Sequence, residues 1–257
     1  MIWSQPTIKK YIPFLVLLIF SSLLTFAIRH QANDYYQALE SAPTTETVKK
    51  SQPAIIGTPK PIATALDVIK TDIQLPLKVP FTSQAPLAIW DQLHQEACEE
   101  ASLLMVYYYR TGQKFTSPQE AEAEIKKMVT WEESNGFKID LTAQELIAVA
   151  SRYLKLKTGR VLMSPTVGQL KAELNAGRPV IVPAAGRLLL NHNFKVPGPI
   201  YHMLVLKGYD ANGFIVNDPG TRRGESYLYS FERIMTAMHD WDPTNILNGR
   251  PSVVVFD

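Results

Sequence analysis

Three residues that lie far apart in the chain, Cys98, His202 and Asp218, have side chains that together could perform nucleophilic catalysis. A cysteine thiolate attacks an amide carbonyl, an imidazole accepts and returns the proton, and a carboxylate orients the imidazole. Each residue alone also has an ordinary structural explanation: a small buried side chain, a satisfied histidine, or a turn residue before Pro-Gly. The catalytic interpretation therefore requires a fold that brings the three together.

Cys98 lies in the first turn of a helix predicted over residues 96–110. Apolar side chains recur there at helical spacing, and Gly112 follows as a stop signal. The unpaired backbone N–H groups and the positive end of the helix dipole favour a thiolate over a thiol at such a position. The position of Cys98 at the helix start therefore favours a reactive sulfur.

His202 and Asp218 flank a predicted hairpin. His202 is near the start of the apolar segment 201–209, and Asp218 follows the segment FIVN at 214–217. The residues between them, Asp-Ala-Asn-Gly at 210–213, are typical of a hairpin turn. Antiparallel pairing brings the start of one strand to the end of the next, so we expect the carboxylate of Asp218 to orient the imidazole of His202.

An acyl-transfer site also needs hydrogen-bond donors for the oxyanion. The backbone N–H of Cys98 and an upstream glutamine are the candidates, and three glutamines qualify by residue type: Gln84, Gln92 and Gln95. In the complete reaction the imidazolium protonates the leaving amine, and water then resolves the thioester on the sulfur. The predicted reaction is the hydrolysis of an amide bond.

The composition argues against other kinds of site. A single cysteine excludes an intramolecular disulfide and a multi-cysteine metal site. The five histidines contain no short-range pair such as His-x-x-x-His, so neither a metal nor another cofactor is predicted. Lys and Arg number 26 against 24 Asp and Glu, a balance that gives no electrostatic footprint for nucleic acid.

Three blocks in this order resemble the C39-like branch of the papain-fold cysteine peptidases: residues 79–106, 201–210 and 216–220. The likeness extends from about Val79 to the C-terminus. It implies that Cys98 is the nucleophile, His202 the general base and acid, and Asp218 the orienting residue. It also implies an α+β fold of the papain-like kind, with the cysteine on an N-terminal helical part and His202 and Asp218 on a C-terminal antiparallel sheet.

The resemblance further suggests the oxyanion donor. The family's Ser-Gln pair matches Ser83-Gln84, which favours Gln84, although its interval to the cysteine is long and Gln92 lies nearer. Many relatives carry Cys-Gly, whereas Glu99 and Glu100 follow the cysteine here. Two acids beside the sulfur raise its pKa unless they point to solvent, so the activation of the thiol depends on their orientation.

Other functions on the same fold remain open. The bacteriocin-processing role of some C39 relatives is disfavoured, because the sequence contains no GxxxxGK[ST] nucleotide-binding loop. One alternative is an amidase or a transglutaminase-like acyl transferase with the same triad. Another is a non-catalytic module that binds peptides or cell-wall fragments. Trp90 and the segment 187–199 are plausible cleft walls, and His192 ranks below His202 because it has no strand context or nearby acid.

The N-terminal part predicts a membrane anchor. Residues 11–28 contain no charge and, at about 1.5 Å per residue, come close to the thickness of a bilayer core. Two lysines precede them, which favours a cytoplasmic segment 1–10 and an extracytoplasmic C-terminal domain at the cell membrane. A cleaved signal peptide is the alternative. Residues 29–72 are rich in Pro and Thr near their centre and predict a flexible stalk.

The folded domain is predicted over residues 73–257, with helices first and strands later. Predicted capping boxes begin helices at Ser117, Thr142 and Thr166, and Gly177 suits the end of the third. Strands are predicted near 73–79, 179–183, 201–209, 214–217, 227–229 and 253–256. The expected partners are a peptide or protein substrate and the membrane, and the sequence does not indicate an oligomeric state.

Overall fold

The computed structural model describes residues 75–257. The predicted cytoplasmic segment 1–10, the anchor 11–28 and the stalk 29–72 lie outside the described residues. From residue 75 onward, no helix combines the length and the apolar character that a membrane span requires.

The described residues form an α+β fold in which most of the helices precede the strands. Six helices span Gln92–Glu96 (α1), Cys98–Thr111 (α2), Pro118–Ser134 (α3), Ala143–Arg152 (α4), Val167–Asn175 (α5) and Phe231–Ala237 (α6). Six strands span Gly159–Met163 (β1), Val180–Ala185 (β2), Tyr201–Tyr209 (β3), Gly213–Asn217 (β4), Tyr227–Ser230 (β5) and Ser252–Phe256 (β6). The strands form one sheet in the order β1-β6-β2-β3-β4-β5, and every neighbouring pair is antiparallel.

The helix ends follow the capping chemistry expected from the sequence. Thr142 and Thr166 each form a complete capping box with the residue three positions later. Ser117 accepts a hydrogen bond from Glu120 N–H, but the Glu120 carboxylate bonds to Thr116 instead of completing the box. Gly112 and Gly177 adopt the left-handed conformation at their helix ends, with φ of 71° and 76°.

Two sequence predictions differ from the structure. The helix expected over 96–110 is divided at Ala97, so that α1 ends at Glu96 and α2 begins at Cys98. The described part of the strand expected near 73–79 is not a strand. It has one backbone hydrogen bond to the sheet, from Leu77 N–H to Lys207 O at 2.6 Å, and Pro76 next to it has no N–H to add another.

The core consists of two clusters of buried apolar side chains. One cluster contains residues of α2, α3 and α4 together with Tyr201, Met203 and Val205 of β3. The other contains residues of α5 and α6 together with Leu204 and Leu206. Because alternate residues of a strand face opposite sides, β3 contributes to both clusters and is buried along its whole length. Helix α2, which starts at Cys98, is thereby held against this strand.

Three glutamates are buried where α2 meets α3. Glu99, Glu100 and Glu132 are 1%, 3% and 4% exposed. The carboxyl groups of Glu100 and Glu132 interact with each other, an arrangement that favours protonation of at least one of them. Burial, followed by the charge of Glu100, raises the pKa of Glu132 to about 11. This helix contact is therefore built from carboxylic acids that resist ionisation.

Replacing Glu132 with glutamine should make the protein less sensitive to alkaline pH. The pKa of Glu132 lies above its ordinary value of 4.5 in the folded state, so folding takes up a proton and stability falls as pH rises from about 4.5 toward 11. Glu132→Gln keeps the shape of the neutral acid and removes this loss, which is at most about 1.4 kcal/mol per pH unit. Urea unfolding of both proteins at pH 5, 7 and 9 measures how steeply stability falls with pH. The exposed neighbour Glu133 provides the control, Glu133→Gln, and equal pH slopes for Glu132→Gln and the wild type would contradict the argument.

Candidate active site

A cavity of about 1100 Å³ opens beside the start of β3. Five parts of the chain line it: residues of the segment 84–96, residues 139–140, residues 192–202, residues 220–223 and Trp241. The lining includes Trp90 and most of the segment 187–199, both expected from the sequence as cleft walls. Both His192 and His202 line the cavity, and His202 lies on strand β3.

His202 and Asp218 are in direct contact, as the hairpin argument predicts. The β3–β4 pairing places Val205 opposite Asn217, so Asp218 follows β4 beside the start of β3. Nε2 of His202 and Oδ1 of Asp218 are 2.8 Å apart, and the two residues are 1% and 0% exposed. The turn between the strands is held by Asp210, whose carboxylate accepts hydrogen bonds from the N–H groups of Asn212 and Gly213.

The carboxylate of Asp218 is surrounded by donors. Besides the histidine, Oδ1 accepts the Gly220 N–H at 3.0 Å, and Oδ2 accepts the Tyr229 hydroxyl at 2.7 Å and the Asn191 amide at 3.0 Å. Burial alone would raise the pKa of Asp218, but the attraction of His202 and these hydrogen bonds outweigh it and lower the pKa. Asp218 is therefore held as a carboxylate that fixes the imidazole.

The second nitrogen of the imidazole, Nδ1, forms no hydrogen bond within residues 75–257. A neutral ring that donates its Nε2 proton to Asp218 carries its lone pair on Nδ1, which makes that atom a base. The ring packs edge-on against Phe194, with 5.3 Å between the ring centroids. His202 thus has one nitrogen fixed by a carboxylate and the other available for proton transfer.

Two glycines allow the close packing of this turn. A Cβ added at Gly220 would lie 2.9 Å from Cε1 of His202, and one added at Gly224 would lie 1.8 Å from the backbone oxygen of Asp218. The second position also receives a backbone hydrogen bond, since Asp218 N–H donates to Gly224 O at 2.9 Å. Both positions therefore require glycine for steric reasons.

The sulfur of Cys98 is hydrogen-bonded to Glu99 and to the backbone of Met203. Cys98 is the first residue of α2 and is 4% exposed. Its thiol donates to Oε2 of Glu99 at 2.9 Å and accepts the Met203 N–H at 3.3 Å. Met203 directly follows His202, so the sulfur lies beside the backbone of β3 next to the histidine, but no hydrogen bond joins Cys98 and His202 in the described part of the chain.

The electrostatics of Cys98 oppose the expected thiolate. Burial, followed by the charge of Glu99, raises the pKa of the Cys98 thiol well above its usual 9.0. The helix start, predicted to activate the thiol, is outweighed by burial of the thiol and then by the two buried acids that follow it. The structure therefore brings His202 and Asp218 together and leaves Cys98 as a thiol paired with Glu99.

Gln84, Gln92 and Gln95 all line the cavity. Gln84 is buried, and its Nε2 donates to the backbone oxygens of His94 and Gln95 at 2.9 and 3.1 Å. Both hydrogens of this amide are thus in use, so Gln84 must release one of them before it can donate to an oxyanion. Gln92 and Gln95 are exposed. The Gln84 N–H donates to Pro219 O at 2.9 Å, which ties this segment to the turn after Asp218.

Asn191 and Tyr229 belong to the site although the sequence alone gives no sign of it. Asn191 donates to both Asp218 and the Tyr229 hydroxyl, which makes the three side chains one buried hydrogen-bond cluster. Tyr229 lies on a predicted strand, but a tyrosine in a strand gives no indication of its partner. His192, ranked below His202 from the sequence, bonds to the hydroxyl of Tyr227 at 3.0 Å near the surface.

Removing the hydroxyl of Tyr229 should destabilise the protein in a pH-dependent way. The pKa of Asp218 is lowered in the folded state, so its ionised form contributes stability above about pH 3.8, and that contribution is lost as pH falls through the folded-state pKa. Tyr229→Phe should cost about 1.5–3 kcal/mol at pH 7, as expected for a hydrogen bond to a charged group, and less below pH 3.

Urea unfolding at both pH values measures this effect. Tyr227→Phe is the matched control, because its hydroxyl lies two residues away on β5 and bonds to His192 rather than to the buried carboxylate. Equal losses of stability for the two variants at pH 7 would contradict the argument.

Comparisons with known proteins assign the chain to a family. No curated protein matches it. Among solved structures, a candidate C39-like peptidase from Bacillus anthracis is 17% identical. The match covers 72% of this chain and 98% of that one, with a TM-score of 0.49. A family model described as the Peptidase_C39 like family matches residues 76–245, well over half of the chain. The protein therefore belongs to the C39-like peptidase family.

Proposed function

We propose that this chain is a thiol peptidase that hydrolyses peptide bonds through Cys98, His202 and Asp218. Membership of a peptidase family supports a peptidase-like hydrolase in general. The observation that carries the specific proposal is the buried His202–Asp218 pair, whose imidazole lines the cavity with Nδ1 unpartnered among residues 75–257. A purely structural histidine has no need to line a cavity. It also has no need of a carboxylate partner that is itself fixed by three further hydrogen-bond donors.

The reaction follows from these positions. The Cys98 thiol gives its proton to Nδ1 of His202, and the sulfur forms a bond to the carbonyl carbon of the substrate. The C–N bond then breaks while Nδ1 protonates the leaving amine. Water gives a proton to Nδ1 as its oxygen bonds to the thioester carbon, the C–S bond breaks to release the acid, and the sulfur takes the proton back from Nδ1. The Cys98 N–H, with the side chain of Gln84 or Gln92, is proposed to stabilise the oxyanion.

The cavity suits an extended polypeptide. Its exposed apolar side chains are Trp90, Ile139, Val196 and Ile200. Cationic residues, Lys195, Arg222 and Arg223, lie on the loops next to His202, and acidic residues, Glu96 and Asp140, lie on other segments of the lining. Mixed apolar and charged walls are typical of sites that bind side chains together with a polar backbone. We propose a peptide or protein as the substrate.

Cys98→Ala and His202→Asn should each lower the rate of hydrolysis of a fluorogenic peptide library by about 10³-fold or more, because loss of any member of such a triad leaves only binding and oxyanion stabilisation. The matched control is His192→Asn, which removes another histidine of the same cavity and should keep most of the activity. Hydrolysis that persists in Cys98→Ala at the wild-type rate would refute the thiol mechanism.

A non-catalytic peptide-binding module is the second candidate, and the burial of Cys98 against Glu99 favours it. The two candidates differ in turnover: a binding module would retain peptides in the cavity without cleaving them. Isothermal titration with uncleaved library peptides, compared with product analysis by mass spectrometry, distinguishes them.

We also propose that residues 11–28 anchor the protein in the cell membrane, with the catalytic domain on the extracytoplasmic side. The support is the uncharged apolar sequence with two lysines before it. The full-length chain should sediment with membranes and resist carbonate extraction, and a chain that lacks residues 1–28 should remain in the supernatant. Full-length protein in the carbonate supernatant, or a mature N-terminus beyond residue 28, would contradict the anchor and indicate a cleaved signal peptide.

A further inference from the structure

The carboxyl group of Glu99 is fixed at both oxygens. Oε2 accepts the thiol of Cys98 at 2.9 Å, and Oε1 accepts the Leu141 N–H at 3.2 Å. The Leu141 oxygen in turn accepts the Tyr201 hydroxyl at 2.8 Å, and Tyr201 precedes His202 on β3. A chain of hydrogen bonds thus runs from the sulfur through Glu99 and the backbone of Leu141 to the strand that carries the histidine.

This arrangement is incompatible with immediate attack by the sulfur. A thiol that donates its proton to a carboxyl group has that proton directed away from any other base. The second contact of the sulfur, with the Met203 N–H at 3.3 Å, favours the thiolate, but burial and the adjacent Glu99 outweigh it. The proposed mechanism therefore needs a step that separates the thiol from Glu99.

We propose that Glu99 is a positioning residue that holds Cys98 as a resting thiol, and that the nucleophile becomes available when this hydrogen bond is exchanged for one to Nδ1 of His202. The inference rests on the proposed thiol chemistry and concerns its regulation. In the exchange the S–H proton passes from the Glu99 hydrogen bond to His202, and no bond between heavy atoms changes.

The surroundings of Glu99 strengthen this hold. Glu100 on α2 acts on both Cys98 and Glu99, and Glu99 in turn acts on Glu132 of α3 and on Tyr201 of β3. None of these three neighbours is a cation. Burial, followed by the charge of Glu100, raises the pKa of Glu99, and burial followed by the charge of Glu99 raises the pKa of Cys98. Once Glu99 ionises, its charge is the one next to the sulfur, and a neutral amide in its place cannot acquire that charge.

Alkylation of the protein by iodoacetamide tests the proposal directly, because Cys98 is the single cysteine of the whole sequence. The rate is measured against pH for the full chain in detergent. The wild-type midpoint should lie above about pH 9, the ordinary value for a cysteine. Glu99→Gln should shift the midpoint down by at least one pH unit and accelerate alkylation at pH 7 by about tenfold.

Glu100→Gln is the matched control, since Glu100 is equally buried on the next position of α2 but pairs with Glu132 rather than with the sulfur. Glu100→Gln should shift the alkylation midpoint by less than half of the shift that Glu99→Gln produces. The proposal is overturned if the profile of Glu99→Gln coincides with that of the wild type, or if Glu100→Gln shifts it equally. Should Glu99→Gln fail to fold, the wild-type profile still decides, because a midpoint below pH 8 would exclude a held thiol.

Hydrolysis provides a separate readout. Glu99→Gln should move the acidic limb of the pH–rate profile to lower pH, an effect that a merely structural role would not produce. If Cys98→Ala retains hydrolysis while Glu99→Gln shifts alkylation, the thiol mechanism fails and the hold on the sulfur stands. If Cys98→Ala is inactive while the alkylation profiles coincide, the mechanism stands and the role of Glu99 fails.

Discussion

The hydrogen bond between His202 and Asp218 is the interaction on which the arrangement of the site depends. It is buried, so the carboxylate must remain paired, because an isolated charge would be costly there. The antiparallel register of β3 and β4 brings the two residues together. Asn191, from the loop before β3, and Tyr229, from β5, donate further hydrogen bonds to the carboxylate. The neighbouring segments are arranged so that the buried carboxylate of Asp218 keeps its hydrogen-bond donors.

The parts of the site that the sequence predicted are those set by neighbouring segments. The contact of His202 with Asp218 follows from two strands and a four-residue turn, a local pairing that residue types are able to indicate. The roles of Asn191 and Tyr229 could not be predicted, because they depend on the path of long connections. The short strand β1 was missed for a similar reason, since five residues of mixed polarity pair with the distant C-terminal strand.

The environment of Cys98 shows where helix position is an insufficient guide to reactivity. The N-terminal position on α2 was predicted correctly, but the orientation of Glu99 and Glu100 depends on α3 and on the loop before α4, which the sequence does not reveal. Desolvation of a thiol among carboxyl groups is a larger effect than the partial charge of a helix end. Burial of all three acids in one helix contact therefore couples the packing of the fold to the chemistry of the sulfur.

The tight turn after β4 has a consequence for comparing related chains. Gly220 and Gly224 leave no room for a methyl group against His202 and against the backbone of Asp218. A homologue that keeps the cysteine, histidine and aspartate but carries a larger residue at position 220 would have a displaced imidazole, and one with a larger residue at position 224 would have a displaced aspartate. Such a substitution would identify a pseudoenzyme that inspection of the three polar residues alone would classify as active.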